Sequence, residues 1–120
     1  MTIEADILAT LTARVSGRVF RVVAPLSTPR PYIVYQQIGG DTIALVDNSV
    51  PTKKNGMFQF KFWADDPIAA EALQLLCESD LKAATVFQAR ELAAPMDLHE
   101  PDLAPPRFGK RQDFSIWSAR

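Results

Sequence analysis

The segment from Gly56 to Leu76 constrains the fold of this chain more than any other part of the sequence. It begins with Gly-Met-Phe-Gln-Phe-Lys-Phe-Trp, and successive side chains of an extended strand point to opposite faces. This alternation places Phe58, Phe60 and Phe62 together on one face. The sequence therefore predicts a β-strand over 57–63 whose phenylalanine face is buried in the core.

An α-helix is predicted directly after this strand, over Pro67–Leu81. Asp66 can accept hydrogen bonds from free N–H groups of the first turn, where proline fits because it has no N–H to leave unpaired. The adjacent Asp65 and Asp66 look like paired catalytic carboxylates, but the helix start explains them fully. The apolar face of the helix is predicted to consist of Ile68, Ala72, Leu75 and Leu76.

The start of the sequence predicts another helix, which Thr2 can cap. Apolar side chains then recur at near-helical spacing. They are Ile3, Ile7, Leu8, Leu11 and Val15. Ser16-Gly17 is expected to end the helix, because glycine readily takes the left-handed backbone conformation found at helix ends.

A hairpin is predicted between this helix and the phenylalanine strand. Val19–Val23 and Tyr32–Ile38 are rich in β-branched and aromatic residues, which favour strands. Gly39-Gly40-Asp41 supplies the backbone freedom of a tight turn. Thr42–Val46 is therefore predicted to return as the partner of the Tyr32–Ile38 strand.

Two long loops and two more strands complete the predicted elements. Val86–Leu92 and Asp113–Trp117 are predicted strands, and Asp47–Asn55 is a polar loop. The second loop covers 95–110, because four of the nine prolines lie between Pro95 and Pro106 and disfavour both helix and strand pairing.

The order of these elements predicts an α+β fold. We expect a mostly antiparallel sheet of about four to six strands, with two α-helices packed on one face. A chain of 120 residues fits a single domain over 1–120. Its 48% apolar content is enough for a core without a disulfide or a metal.

The sequence carries little reactive chemistry. A zinc site needs several converging ligands, whereas this chain has one cysteine, Cys77, and one histidine, His99. Cys77 is interpreted as a small buried hydrophobe and His99 as an exposed loop residue. No nucleophile elbow, phosphate-binding glycine loop or dinucleotide fingerprint is present. We therefore expect no enzymatic activity and no cofactor or metal.

Charge and cysteine usage suggest a cytoplasmic protein. The net charge is −1 and the pI is about 5.7, which gives no global attraction to nucleic acid or anionic membranes. No signal-peptide pattern opens the sequence, and no apolar run is long enough for a membrane helix. A single cysteine fits a reducing compartment.

An RNA-binding module is the alternative interpretation of the phenylalanine strand. Aromatic side chains on an exposed sheet can stack on bases. A basic patch could assist them, formed by Lys53, Lys54, Lys61, Arg107, Lys110 and Arg111. However, a core role explains alternating phenylalanines better, and RNA-recognition sheets begin with a strand where this chain begins with a helix.

The order of motifs is similar to that of a known protein family. A helix precedes a proline-flanked strand, Pro31-Tyr-Ile-Val-Tyr-Gln36, and a hairpin. Then come Met57-Phe-Gln-Phe-Lys-Phe-Trp-Ala64, an alanine-rich helix, a long loop and Asp113-Phe-Ser-Ile-Trp117. This order, over nearly the whole chain, resembles the small tail-completion or tail-terminator-like proteins of long-tailed bacteriophages and prophages.

The resemblance implies a non-enzymatic structural protein that assembles as a ring, a hexamer in this family. Such a ring caps the tail tube at its head-proximal end and binds the tail-tube protein and a head-completion or connector protein. The isolated subunit is expected to be monomeric when dilute. The expected locations are the bacterial host cytoplasm during assembly and then the virion tail.

The two loops are the candidate arms for ring assembly, because long loops in compact domains are usually functional or disordered. Their polar residues are the candidate assembly-interface residues. These are Lys53, Lys54, Asn55, His99, Arg107, Lys110 and Arg111.

Overall fold

The computed structural model describes residues 2–103 and 105–120, and over these it has two α-helices and six strands in one sheet. The helices are α1, Ile3–Leu11, which continues into a 3₁₀ turn over Thr12–Arg14, and α2, Pro67–Ala83. The strands are β1 (Val19–Arg21), β2 (Tyr32–Gly39), β3 (Lys53–Ala64), β4 (Gln88–Glu91), β5 (Met96–Glu100) and β6 (Arg107–Ala119). The predicted α+β class is confirmed.

The sheet is built around the long antiparallel pair β3 and β6. Its strand order is β1-β2-β3-β6-β4, and β5 pairs with β6 beside β4. β3 and β6 are paired from Lys53 opposite Ala119 to Ala64 opposite Phe108. Only the β1–β2 pairing is parallel among the described strands, so the sheet is mostly antiparallel as predicted.

The phenylalanine face of β3 forms the centre of the core, which confirms the sequence prediction. Phe58 is 3% exposed, and Phe60 and Phe62 are fully buried beneath α1 and α2. The ring of Phe60 meets that of Phe114 on β6 edge to face, with centroids 5.6 Å apart. Each such buried ring contributes about 1.5–3 kcal/mol to stability.

The opposite face of the sheet carries a smaller buried cluster of Tyr32, Val34 and Trp63. Partly buried side chains from β1, from the segment after it and from β5 pack against this cluster. They are Phe20, Ala24 and Leu98. One end of the sheet is therefore covered on both faces.

The predicted hairpin is wrong. Residues 42–46 form no strand, and β2 pairs instead with β3, placing Tyr35 opposite Phe60. Gly39 and Gly40 do end the strand, with φ of 144° and 152°. Pairing with β3 wins because it joins two apolar faces directly, whereas a return through 42–46 would separate them.

The predicted loop over 47–55 is also too long. Lys53, Lys54 and Asn55 belong to β3 and pair with the end of β6, so the loop ends at Thr52. Without the predicted hairpin partner, the irregular connection between β2 and β3 instead runs over 41–52.

The predicted apolar face of α2 is the exposed one. Ile68 is 80% exposed, Leu75 58% and Leu76 46%. The buried face instead contains Ala70, Leu73, Gln74, Cys77 and Leu81. The helix has apolar residues on both sides, and packing against the sheet selects the second stripe. Burial of Cys77 was predicted and is confirmed.

The proline-rich segment is not wholly irregular, which corrects the prediction for 95–110. Pro95 and Pro101 lie just outside β5. Every residue of Met96–Glu100 therefore has a backbone N–H, which proline lacks, and the strand can pair with the first half of β6. His99 therefore lies on a strand, although it is exposed as predicted.

The two helix starts agree with the sequence. The Thr2 hydroxyl accepts a hydrogen bond from the Ala5 N–H at 3.2 Å. The Asp66 carboxylate accepts one from the Ala69 N–H at 2.7 Å, and Pro67 is the first helical residue. Asp66 is thus occupied in capping α2.

Candidate assembly interface

Residues 41–52, which we call the arm, connect β2 to β3 along the surface of the molecule. Its apolar side chains are exposed and belong to no core cluster. Ile43 is 38% exposed, Leu45 40%, Val50 71%, and Val46 is fully exposed. Since apolar groups that remain in water gain nothing from folding, their concentration on one segment points to a contact surface.

A turn orders the arm at its tip. The Asp47 carboxylate accepts hydrogen bonds from the Ser49 N–H at 3.0 Å and hydroxyl at 2.7 Å. These bonds lower the pKa of Asp47, because they favour its charged form. Asn48 takes a left-handed φ of 60°, and its N–H donates to the Leu45 carbonyl at 3.0 Å.

The base of the arm is tied to the sheet. The Asp41 N–H donates to the Asn55 side-chain oxygen at 2.9 Å, and the Arg120 N–H donates to the Thr52 carbonyl at 2.9 Å. Asn55 also donates to the Ser115 hydroxyl on β6 at 2.9 Å. Neither flank of the turn is part of a strand, so the arm has a fixed base and tip but no ladder between them.

The sequence-predicted interface residues do not form one surface. Lys53, Lys54 and Asn55 lie at the arm base, whereas the other four lie toward the opposite end of the β3–β6 ladder. A strand rises about 3.3 Å per residue, so the two ends of β3 are roughly 36 Å apart. Lys53 and Lys54 are exposed, and Asn55 holds the arm.

The second group is engaged within the fold. The Arg107 guanidinium lies 3.9 Å from the Trp63 ring centroid and donates to the Tyr32 hydroxyl. Lys110 pairs with Asp97 at 2.6 Å. Lys110 thus joins β6 to β5, and Arg107 joins β6 to side chains of β2 and β3, so both cations have a structural role.

The remaining two residues of this group also have neighbours. Arg111 lies 3.8 Å from the Asp113 carboxylate, and the His99 ring stacks on Phe108 with centroids 4.4 Å apart. The Arg111–Asp113 ion pair is long and partly exposed, so it holds Arg111 less firmly than Asp97 holds Lys110.

The outer face of α2, formed by Ile68, Ala72, Leu75 and Leu76, is a second exposed apolar surface. The helical spacing predicts that this face is buried in the core, so its exposure was not expected from the sequence. The signal that could have found it is the number of apolar residues in α2, which exceeds what one buried stripe can hold.

A cleft of about 240 Å³ lies beside Trp63, at the end of the sheet away from the arm. Exposed side chains of Val22, Val23 and Leu26 form one wall, and Arg107 lies on the other. Arg30 is fixed there by the carbonyl oxygens of Pro105 and Pro106, each at 2.8 Å. The cleft therefore combines apolar side chains with a polar edge that carries both cations and the carboxylate of Glu100.

The described residues gather no group of potential metal ligands. Over 2–103 and 105–120, no three His, Cys, Asp or Glu side chains gather as metal ligands, and no helix is long and apolar enough to cross a membrane. Burial raises the pKa of the Cys77 thiol to about 12, so it stays protonated at neutral pH.

Comparison with protein-family models and with curated proteins finds no match for this chain. The phenylalanines on which the RNA alternative depends are buried under α1 and α2, and so present no ring for a base to stack on.

Proposed function

We propose that this chain is a structural assembly protein of the tail-terminator-like kind. In this role it forms a ring at the head-proximal end of a phage or prophage tail tube and joins the tube to the head. The observation that carries the proposal is the exposed apolar arm of residues 41–52, which the fold of the single chain does not bury. The motif order described above supports the same role, apart from the predicted hairpin, which the structure replaces with direct pairing of β2 and β3.

The physical requirements of a ring subunit match this arrangement. A ring needs a rigid body and a head-to-tail contact between two different surfaces whose rotation closes. The sheet with its two covering helices supplies the body. The arm and the outer face of α2 supply two different exposed apolar surfaces.

The proposed partners are other copies of the chain, the tail-tube protein and a head-completion or connector protein. The role needs no enzymatic chemistry and no cofactor. Its proposed locations are the host cytoplasm during assembly and then the virion tail.

The test is to mix the protein with the cognate tail-tube protein and measure tube lengths by electron microscopy. We expect capped tubes of uniform length with the wild type. We expect loss of capping with Leu45→Asp, which puts a charge on the arm. Leu92→Asp is the matched control, because Leu92 is 39% exposed against 40% for Leu45 but lies outside the arm. Tubes of uncontrolled length with the wild type, and no binding to their ends, would reject the proposal.

A further inference from the structure

We propose that the arm of one copy binds across the outer face of α2 of a second copy. This inference deepens the proposed function, on which it rests for the idea of a ring. It names the two surfaces that meet, and it can be tested without a tail tube.

The arm and the outer face of α2 are both uncovered and apolar. Val46 on the arm is fully exposed, and Ile68 on α2 is 80% exposed. The chain does not bring them together: the arm joins the end of β2 to the start of β3, whereas α2 starts beyond the other end of β3. Two matching surfaces that cannot meet within one copy can meet between copies.

The charge on the outer face of α2 is opposite to the charges of the two lysines at the base of the arm. Glu71 is exposed on α2, between Ile68 and Leu75 at helical spacing, so it lies within the apolar face. Lys53 and Lys54 are exposed at the arm base. In the part of the chain that the structure describes, none of these three charges has an ion pair.

Other charged side chains of α2 have partners within the chain. Asp80 accepts two hydrogen bonds from the Arg14 guanidinium at 2.7 and 3.0 Å, and Lys82 pairs with Glu91 at 2.8 Å. The outer face of α2 therefore presents an acidic group within an apolar stripe. The arm itself carries the acidic residues Asp41 and Asp47, so the charges that complement Glu71 are those of Lys53 and Lys54 at its base.

Contact with other copies of the chain covers both exposed surfaces. When the arm of one copy binds the α2 face of a second copy, the first copy keeps a free α2 face and the second keeps a free arm. Further copies can bind these free surfaces until a ring closes. A symmetric dimer that paired two α2 faces would instead bring Glu71 of one copy toward Glu71 of the other. That arrangement is unfavourable.

The test uses one variant of each surface, Val46→Asp on the arm and Leu75→Asp on α2. Both side chains are exposed, so both variants should keep the far-ultraviolet circular dichroism spectrum of the wild type. Each alone should weaken self-association by about tenfold or more in sedimentation velocity, because a charge enters an apolar contact.

The decisive measurement is the mixture of the two variants. The intact arm of Leu75→Asp can bind the intact helix face of Val46→Asp, whereas the remaining arm and face of that pair are both damaged. The mixture should therefore give a one-to-one heterodimer that does not grow. Wild type that stays monomeric at its highest soluble concentration, or folded variants that form no heterodimer, would overturn the proposal.

A charge exchange provides an independent readout. Glu71→Lys should weaken self-association, and combining it with Lys53→Glu and Lys54→Glu in the same chain should restore it. No restoration would argue against this register of the contact. If the variants form a heterodimer but the wild type does not cap tubes, the arm–helix contact is supported and the tail role is rejected. If the wild type caps tubes but the variants form no heterodimer, the tail role is supported and the arm–helix contact is rejected.

Discussion

The side-chain amide of Gln74 on α2 donates a hydrogen bond of 2.7 Å to the side-chain oxygen of Gln112 on β6, and both residues are buried. Gln74 also donates to Glu78 at 2.7 Å, and Gln112 donates to the Ala93 carbonyl at 3.1 Å. This network lies beneath α2 and explains which side of the helix turns inward. Buried amides are normally hydrogen-bonded, and this orientation of α2 gives Gln74 a partner on the sheet in Gln112.

Gln112→Leu should lower the free energy of unfolding by about 1–3 kcal/mol, because it leaves a donor of Gln74 and the Ala93 carbonyl unpaired. Thermal and urea unfolding measure the loss. The double variant Gln74→Leu/Gln112→Leu should lose less than the sum of the singles, since both partners of the bond are then apolar. Gln36→Leu on the exposed end of β2 is the matched control. Additive losses would mean that the two amides are not coupled.

Asp66→Ala should cost about 1 kcal/mol of stability, because it removes the capping bond to the Ala69 N–H. The neighbouring Asp65→Ala is the control, since Asp65 makes only an exposed ion pair with Arg30 at 3.3 Å. Urea unfolding compares them. Equal losses would show that Asp66 has no special role in starting α2.

Gly109→Ala should destabilise the fold by about 1–3 kcal/mol through overpacking. A Cβ there would lie 2.8 Å from Trp63 Cε3 and 2.9 Å from the Phe62 carbonyl oxygen. Trp63→Leu should lower the free energy of unfolding less in the Gly109→Ala variant than in the wild type, because the smaller side chain relieves part of the clash. Strict additivity of the two losses would show that they do not meet.

Burial of Cys77 should make stability fall at alkaline pH. The pKa of its thiol is about 12 in the folded protein, mainly because of desolvation, against about 8.5 when unfolded. Above the unfolded value, only the unfolded state loses this proton, so rising pH favours unfolding by at most about 1.4 kcal/mol per pH unit.

Cys77→Ala is the control for this effect, because it removes the thiol and leaves the other titrating groups. The stability advantage of wild type over Cys77→Ala should shrink between about pH 8 and about pH 10. An advantage that stays constant would contradict the buried thiol. Alkylation of Cys77 should likewise be fast only in denaturant.

Local patterns predicted the parts of the fold that local chemistry controls. Alternation placed Phe60 in the core, and the cap residues located the starts of α1 and α2. Proline positions were harder to interpret, because their effect depends on where the strand lies between them. Pro95 and Pro101 flank β5 without interrupting it.

The candidate site was only partly predictable. Lys53 and Lys54 were predicted to lie in a loop, whereas the structure places them in β3 at the base of the arm, and their role in an interface stays a prediction. The apolar arm residues were missed, because Thr42–Val46 has the composition of a strand. The outer face of α2 was missed because each apolar stripe of that helix satisfies the same periodicity.

The α+β class, the buried face of β3 and the two helix starts were predictable, because each depends on spacing and chemistry within a few neighbouring residues. The tertiary structure alone decided that β2 pairs with β3 and that Gln74 turns inward on α2. Strand partners and helix orientation depend on contacts between residues far apart in the chain. The same long-range choices left Ile68, Leu75 and the arm exposed.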